Sequence, residues 1–344
     1  MSKRVCMKDI ARDLKVSVVT VSKVLRNHGD ISHETRQRVL QRIAELNYQP
    51  NWAARSLVTR RTYLVGVVIP DLMHSFFADV AKAVARTLRP RGYHLVIAPS
   101  EENPQLEREE IERLLARQID GLIIASAQRR PDRELIGRLE ARKTPYVLID
   151  RRLPGLNGNY VGVNDEEIGL LATGHLIEQG CRRIAHIRGP VLSTGTGRLK
   201  GYRKALALHG MEVPARYVVD GGWGNDSGYL AMRELLNLDP RPDGVFCYND
   251  PVAAGAIKAV LEAGLEVPND VAIIGSGNIR YSDLLRIPLS TIDQSSLQIG
   301  EKAAELVVRL MEAKTTPPPE RIFLPPRLVV RESSTRILKP RQAE

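Results

Sequence analysis

Residues 7–46, MKDIARDLKVSVVTVSKVLRNHGDISHETRQRVLQRIAEL, contain three apolar stripes at helical spacing. The first two stripes are Met7, Ile10, Ala11 and Leu14, then Val18, Val21, Val24 and Leu25. Val39, Ile43 and Leu46 form the inner face of a third helix. Ser17 and Ser32 precede the second and third runs and are predicted to cap them. A gap of about three residues between the first two helices indicates a helix-turn-helix.

Electric charge distinguishes the same region from the rest of the chain. Residues 1–62 carry 13 Lys and Arg against 5 Asp and Glu, whereas the remaining residues carry 37 against 35. A basic head on a nearly neutral body is typical of a nucleic-acid-binding module joined to a second function. Three short helices could also form a protein-binding bundle, but charge and spacing together favour DNA.

A second basic stretch, QPNWAARSLVTRRT at residues 49–62, follows the three helices. Pro50 suits a helix start, and residues 51–57 are long enough for two turns that would need a partner to be stable. Leu57 lies between Arg55 and the pair Arg60 and Arg61. Leu57 is therefore either a wedge that enters a base step from the minor groove or a linker residue that packs on the next domain.

The body alternates short β-branched runs with amphipathic segments, starting at Leu64. The runs are LVGVVIP, YHLVIAP, DGLIIAS, PYVLID, YVGV, RIAHI, RYVVD, DGVFCY and VAIIGS. Apolar strands separated by helices indicate parallel sheets covered on both faces. The fold class is therefore mixed α/β, with two doubly wound lobes that divide near residues 160–164. A single closed barrel is the alternative.

Ligands of such sheets bind beyond the carboxyl ends of the strands, so the residues at those ends are candidate contacts. They are Phe76, Phe77, Asp150, Thr194, Arg198, Trp223, Asn249 and Asp250. Aromatic faces beside carboxylates, an amide and a guanidinium suit a polyhydroxylated ligand, because sugar C–H faces stack on rings while hydroxyls bind the polar groups.

Each candidate also has a purely structural interpretation. One of Phe76 and Phe77 could face the core, Trp223 could cover a loop, Asp150 could pair with Arg151, and Asp250 could cap a helix. Arg198 is harder to explain in this way, since an arginine in a cleft needs a partner. His74, just before the two phenylalanines, could reach a ligand, but a solvent-facing loop residue is the favoured interpretation.

Motifs of several enzyme classes are missing from the sequence. The fragments at residues 195–197 and 275–277 do not complete GxGxxG, and their glycines are interpreted as allowing tight loops. The sequence has no GxxxxGK[ST], HExxH or GxSxG motif, and its three cysteines are far apart. We therefore expect no enzymatic activity, no cofactor and no metal.

The distribution of apolar residues along the chain bears on the cellular location of the protein. No apolar run approaches the roughly 18 residues of a membrane-spanning helix, and MSKRVCMKDI has no apolar stretch of a secretory signal. We expect a cytoplasmic, nucleoid-associated protein without a membrane partner. A sugar-binding protein without DNA function is the alternative, and the basic head argues against it.

The stretch from Met7 through Leu57 closely resembles the DNA-binding head of the LacI/GalR family of bacterial transcriptional regulators. That resemblance implies that residues 18–23 enter the major groove and that Leu57 intercalates. The DNA-contacting residues expected from it are Lys8, Ser17, Val18, Val19, Thr20, Ser22, Lys23, Asn27, Asn51, Ala54, Arg55 and Leu57.

The body resembles the periplasmic-binding-protein-like core of the same family, through VGVVIPD, LIDR, VNDEEIGLLATGHLIEQG, GRLKGY, FCYNDPVAAGAIKAV and PLSTIDQSSLQIGEKA in that order. The resemblance implies that Phe76, Asp150, Arg198, Trp223 and Asp250 line an effector cleft together with Thr194 and Gln294. It also implies three crossings between the lobes. The expected domains are a helix-turn-helix head at 1–49, a hinge helix and linker at 50–62, an N-terminal lobe at 63–161 and 291–320, a C-terminal lobe at 162–290 and 321–332, and a tail at 333–344.

The implied function is that of a homodimeric repressor on a pseudo-palindromic double-stranded DNA operator, with half-sites about one helical turn apart. A small effector in the cleft, expected to be a sugar or sugar derivative, would change lobe closure and thereby the spacing of the two hinges.

Several residues depart from the family pattern. Val19 cannot hydrogen-bond to a base, Lys23 lacks the bidentate fork of arginine, and Cys6 is expected to be a weak helix cap. Leu192 stands where purine-responsive members carry arginine, which argues against a purine effector. GSGN at 275–278 lacks an aromatic residue and two acids and could alter the cleft or the lobe contacts.

Overall fold

A computed structural model describes residues 5–25, 28–48, 56, 61–212 and 214–336. Within these ranges lie eleven α-helices and twelve β-strands. The chain divides into two compact units, residues 1–62 and 63–344. The predicted α/β fold class is confirmed.

The first unit contains the three helices that the apolar stripes predict. They are α1 (Met7–Leu14), α2 (Val18–Leu25) and α3 (His33–Glu45). Ser17 Oγ accepts a hydrogen bond from the Thr20 amide at 3.0 Å, so the predicted cap of α2 is confirmed. Ser32 Oγ caps α3 in the same way, at 3.3 Å from the Thr35 amide. At the start of α1, the Asp9 carboxylate accepts from the Cys6 backbone amide at 2.9 Å.

The first lobe of the second unit is a six-stranded parallel sheet with β2 at one edge and β11 at the other. Its order is β11-β5-β4-β3-β1-β2, with β1 (Leu64–Ile69), β2 (His94–Pro99), β3 (Gly121–Ile124), β4 (Tyr146–Ile149), β5 (Tyr160–Val163) and β11 (Arg321–Leu324). Its helices are α4 (Ser75–Leu88), α5 (Pro104–Ala116), α6 (Arg133–Ala141) and α11 (Ser296–Glu312).

Both faces of that sheet are covered, as the uninterrupted apolar strands predict. Val65, Val67 and Ile69 of β1 belong to the core that includes α4 and α11. Val68 points the other way, into the core that includes α5 and α6. The two open sheets exclude the single-barrel alternative.

The second lobe is a four-stranded parallel sheet with the order β7-β6-β8-β9. Its strands are β6 (Ile184–Arg188), β7 (Val218–Asp220), β8 (Gly244–Cys247) and β9 (Ala272–Ile274). Its helices are α7 (Asp165–Glu178), α8 (Ser193–Leu208), α9 (Asn225–Leu236) and α10 (Asp250–Glu262). Single 3₁₀ turns occur at Arg89–Arg91, Ala215–Tyr217 and Glu332–Ser334.

Strand pairing corrects the expected lobe boundaries. β5 pairs with β4 through Tyr160 and Val161 and with β11 along its whole length, so residues 162–163 and 321–324 belong to the first lobe. A short antiparallel pair, β10 (Thr291–Asp293) and β12 (Arg327–Val329), continues beside β9 in the second lobe, because Ser290 bridges Ile274. The chain thus crosses between the lobes near residues 164, 294 and 325.

No helix in the described ranges is long and apolar enough to cross a membrane.

Candidate functional site

Most of the side chains selected from the strand ends lie just after a strand or in the first turns of the helix that follows it. Phe76 and Phe77 open α4, and Asp150 directly follows β4. Thr194 and Arg198 lie on α8, Trp223 precedes α9, and Gln294 follows β10. Asn249 and Asp250 lie at the start of α10.

Arg198 is almost completely buried and binds four neighbouring groups. Its Nε donates to Asp165 Oδ1 at 3.2 Å, and its Nη1 donates to the Tyr248 carbonyl at 2.7 Å and to Ser276 Oγ at 2.9 Å. Its Nη2 donates to Gln294 Oε1 at 3.1 Å. A guanidinium has five N–H groups, so these four bonds leave one hydrogen on Nη2 without a partner among the described residues.

Glycines bring Asp165 against Arg198. A Cβ on Gly201 would lie 2.0 Å from the Glu166 carbonyl, and one on Gly169 would lie 2.1 Å from the Arg198 carbonyl, so α7 and α8 cross with their backbones in contact. The predicted role of the 195–197 glycines in a tight loop is wrong, because this segment is part of α8.

Asp165 itself is a buried carboxylate that sequence reasoning missed. Burial raises its pKa to about 6 against the opposing effect of Arg198. Its Oδ2 has no hydrogen-bond partner among the described residues. An acid directly after a strand end, at the start of the next helix, was the available signal in the sequence.

Asp150 has a left-handed backbone, with φ of 60°. Such a conformation in a residue other than glycine is strained and is enriched at functional sites. The Asp150 carboxylate forms an ion pair with the guanidinium of Arg151, whose Nε lies 3.5 Å from Asp150 Oδ2. This Nε makes no hydrogen bond within the described part of the chain.

Arg151 is a second site residue that the sequence analysis did not select. Its guanidinium binds the Glu102 carboxylate in a bidentate manner, at 2.6 and 2.7 Å. The same guanidinium lies 5.0 Å from the Trp223 ring centroid, across the cleft, and 5.8 Å from that of Phe77. Arg151 therefore contacts an aromatic ring on each lobe.

Both phenylalanines are buried and pack edge to face, with ring centroids 5.1 Å apart. The His74 ring lies 5.7 Å from that of Phe77. Burial lowers the pKa of His74, and its Nδ1 has no partner among the described residues. The interpretation of His74 as a solvent-facing loop residue is wrong.

The side chains of Thr194 and Asn249 make hydrogen bonds within the protein. Thr194 Oγ1 lies 2.9 Å from the Tyr248 hydroxyl. Asn249 caps α10 by accepting from the Val252 amide at 2.9 Å, and its Nδ2 donates to the Trp223 carbonyl at 3.0 Å. Asn249, rather than Asp250, is thus the helix cap, and it also positions Trp223.

The Asp250 carboxylate likewise hydrogen-bonds within the protein, to residues that follow the segment at 275–278 in the sequence. It accepts from the Ile279 amide at 3.0 Å and from the hydroxyls of Ser282 and Thr291 at 2.8 and 2.5 Å. A Cβ at Gly275 would lie 2.4 Å from Asp250 Oδ1. The small residues of 275–278 therefore make room for this carboxylate.

In the first unit, the start of α2 exposes Val18 and Val19. Lys8 is also exposed, whereas Thr20 and Ser22 are half-buried. The Lys23 ammonium forms an ion pair with the Asp30 carboxylate. Other candidate DNA contacts lie outside the described residues: Asn27, Asn51, Ala54, Arg55 and Leu57.

Within the described ranges, no group of three or more His, Cys, Asp or Glu side chains is arranged to hold a metal ion.

Comparison with known proteins finds similarity along nearly the whole chain. Residues 6–51 match the family described as bacterial regulatory proteins, lacI family, and residues 173–334 match the periplasmic binding protein-like domain. The ribose operon repressor of Halalkalibacterium halodurans is 35% identical over 95% of this chain and 96% of its own length.

Two solved structures share the architecture. The Lac repressor dimer bound to operator and the anti-inducer ONPF has a TM-score of 0.85 at 26% identity, covering 96% of this chain and 99% of that chain. The complex of the transcriptional regulator CelR with cellobiose has a TM-score of 0.73 at 33% identity, covering 96% of this chain and 100% of that chain.

Proposed function

The chain belongs to the LacI family of bacterial regulatory proteins, and from this we propose that it is a repressor whose DNA affinity is controlled by a sugar or sugar derivative between its lobes. The observation that carries the choice of ligand is Asp150. Its strained backbone holds an almost fully buried carboxylate beside a guanidinium nitrogen that makes no hydrogen bond to a described residue.

The hydrogen-bonding groups of the cleft match a polyhydroxylated molecule. The carboxylate of Asp150 and Oδ2 of Asp165 can accept hydrogen bonds from a ligand. Arg151 Nε and the remaining hydrogen of Arg198 can donate hydrogen bonds to it. A sugar hydroxyl both donates and accepts, so adjacent hydroxyls can satisfy a carboxylate and a guanidinium together. Trp223 offers a ring face for the C–H groups of a pyranose or furanose.

The names of two similar proteins support the same class of ligand. One is a ribose operon repressor, and one solved neighbour is a complex with cellobiose. Leu192, buried at the start of α8, offers no charge or hydrogen bond to a purine. A purine is therefore the less favoured effector.

A thermal-shift and calorimetric screen of the full-length protein tests this proposal. The panel contains pentoses, hexoses, disaccharides, sugar phosphates, nucleosides and purines. We expect a sugar to raise the melting temperature, and Asp150→Asn to abolish that shift while the protein remains folded. The matched control is Asp220→Asn, because Asp220 is exposed on β7 and pairs with Arg188. Binding of a purine, or unchanged sugar binding by Asp150→Asn, would contradict the proposal.

The assembly on DNA is the second part of the proposal. We infer a homodimer whose two heads bind the half-sites of a pseudo-palindromic operator, in the cytoplasm where the chromosome is accessible. The Lac repressor neighbour is a dimer bound to operator. Residues 50–62 would form the hinge, with Leu57 as the minor-groove wedge.

Operator affinity of Leu57→Ala tests the wedge. The variant should bind the operator more weakly and the effector normally, because Leu57 lies outside the predicted ligand-binding lobes. An unchanged operator affinity would contradict the wedge and favour the interpretation of Leu57 as a linker residue. A truncated protein lacking residues 1–62 that retained full regulatory activity would instead favour the plain sugar-binding protein.

A further inference from the structure

The first turn of α2 presents methyl groups to solvent. Val18 and Val19 are 38% and 61% exposed, whereas Val21 and Val24 of the same helix are buried in the core of the head. Valine lowers helix stability relative to most residues, because its branched side chain is restricted in χ1. Packing within the head explains Val21 and Val24 but not the two exposed valines.

The side-chain hydroxyls next to these valines are already engaged. Ser17 Oγ accepts from the Thr20 amide, and it lies 2.9 Å from Thr20 Oγ1. Ser17 Oγ thus caps the helix, and the two hydroxyls bond to each other. Among residues 17–20, Val18 and Val19 are the exposed apolar side chains, and they lie beside these two bonded hydroxyls.

The cation on the same helix is also engaged. The Lys23 ammonium pairs with Asp30, and its hydrogen bond lowers the pKa of that carboxyl group. Lysine lacks the planar fork that reads guanine in a bidentate manner, and Asp30 competes for its charge. Lys23 is thus a poor source of sequence specificity.

We propose that Val18 and Val19 recognise thymine through its C5 methyl group, an inference that rests on the proposed DNA-binding function. In a helix-turn-helix the N-terminal residues of the second helix face the base edges of the major groove. Thymine is the base that presents a methyl group there. The net charge of +8 on residues 1–62 supplies attraction to the duplex without reading its sequence.

The size of the effect follows from burial of a methyl group. Removing one buried methyl or methylene group from an apolar contact corresponds to about a fourfold change in an equilibrium constant. In a symmetric complex the contact occurs once in each half-site, so substitution in both half-sites should weaken binding by about sixteenfold.

The experiment uses a duplex that the full-length protein enriches from a random-sequence library. Each thymine of that duplex is replaced in turn by deoxyuridine, which removes the methyl group and keeps the base pair. We expect about a fourfold loss of affinity at two thymines in each half-site, and no change at the other thymines. Val19→Ala should lower the thymine-to-uracil affinity ratio at one of these positions, and Val18→Ala at the other, because alanine keeps only its Cβ for the contact.

Leu40→Ala is the matched control, because Leu40 is an exposed apolar residue on α3 of the same head. It should keep the thymine-to-uracil ratio of the wild type. Thermal unfolding of each variant checks that the head remains folded.

The outcomes separate this proposal from the function on which it rests. Specific enrichment without any sensitivity to uracil would overturn methyl recognition and leave the DNA-binding function intact. A wild-type ratio in both valine variants would overturn the assignment to Val18 and Val19. Failure to enrich any sequence would overturn the DNA-binding function and the valine proposal together.

Discussion

Arg198 Nε lies 3.2 Å from Asp165 Oδ1, and neither side chain exposes more than 3% of its surface. The other bonds of the guanidinium reach Tyr248, Ser276 and Gln294. Arg198 therefore holds together α7, α8 and the strand ends of the second lobe. It is a structural element of the cleft as well as a candidate ligand contact.

Arg198→Ala is accordingly expected to destabilise the second unit, not only to remove effector response. Removal of one partner leaves the Asp165 carboxylate buried without its cation, a change that costs about 3–5 kcal/mol. Urea unfolding measures the difference. The control is Arg203→Ala, an exposed arginine on the same helix, for which we expect a change below about 0.5 kcal/mol. Equal stability of the two variants would show that Arg198 is not structurally required.

The raised pKa of Asp165, about 6, predicts a pH dependence of stability. The carboxyl titrates near 3.8 when unfolded, so between about pH 4 and 6 the folded state binds more protons. Its contribution to the free energy of unfolding is therefore fully present below about pH 4 and is lost as the pH rises to about 6. The loss is about 3 kcal/mol at 1.36 kcal/mol per unit.

Asp165→Asn cannot titrate and should not show this loss. Relative to that variant, the wild type should become less stable across the same pH window, as measured by urea unfolding. A difference between the two proteins that is independent of pH would contradict the raised pKa.

The buried side chain of His186 predicts the opposite pH dependence, a free energy of unfolding that falls as the pH falls. Its ring is buried and stacks on Phe246 at 4.6 Å and on Tyr202 at 5.2 Å, while Nδ1 donates to the Phe246 carbonyl at 2.8 Å. Burial lowers its pKa from 6.5 to about 3, so the unfolded state takes up the proton first. Stability should fall by about 1.4 kcal/mol for each pH unit below about 6.5.

His186→Phe keeps the ring and removes the titration. Its free energy of unfolding should fall less steeply than that of the wild type between about pH 6.5 and 5. His94→Gln, an exposed histidine on β2, should retain the wild-type slope. If His94→Gln, rather than His186→Phe, flattened the profile, the buried histidine would not be its cause.

The sequence predicts the helices of the head and the first nine strands because their apolar periodicity is strong. The short strands β10, β11 and β12 were not predicted. β11 pairs with β5, which lies more than 150 residues earlier, and β12 pairs with β10. Local periodicity carries no information about such pairing, and this is why the lobe boundaries needed correction.

In the candidate site as well, residues marked by the local sequence were predicted, whereas their distant partners were not. Strand ends identified Asp150, Arg198 and Trp223, because the carboxyl edges of parallel strands face one cleft. Glu102 was missed because it becomes significant only through Arg151, which lies far away in the sequence. Asp165 follows a strand end, but its pairing with Arg198 is not visible in the local sequence.

An ion pair between the lobes predicts an effect on effector affinity. Arg280, which follows β9, donates to Asp79 Oδ1 of α4 at 2.6 and 3.0 Å. Because exposed pairs contribute about 0.2–1 kcal/mol, Arg280→Gln should weaken effector binding by up to about fivefold through easier opening of the lobes. Calorimetry measures the change, and Lys258→Gln on the exposed side of α10 is the control.

The charge-swapped double variant, Asp79→Arg with Arg280→Asp, should restore much of the affinity. If the swap weakened binding further than either single substitution, the effect would not come from the ion pair.

The close contact between the backbones of α7 and α8 predicts that replacing glycine by alanine has opposite effects on stability at Gly201 and at Gly174. Gly201→Ala would place a Cβ 2.0 Å from the Glu166 carbonyl, a backbone atom that cannot rotate away. The helices would have to separate, at a cost of about 1–3 kcal/mol or more, and Arg198 would move away from Asp165.

Gly174→Ala lies on α7 with nothing within 4 Å of the added Cβ, so it should stabilise the helix by up to about 1 kcal/mol. Urea unfolding of both variants and their effector affinities test the argument, because only Gly201→Ala should weaken binding. Destabilisation of similar size by both substitutions would mean that helix propensity, and not the close approach of the backbones, decides the outcome.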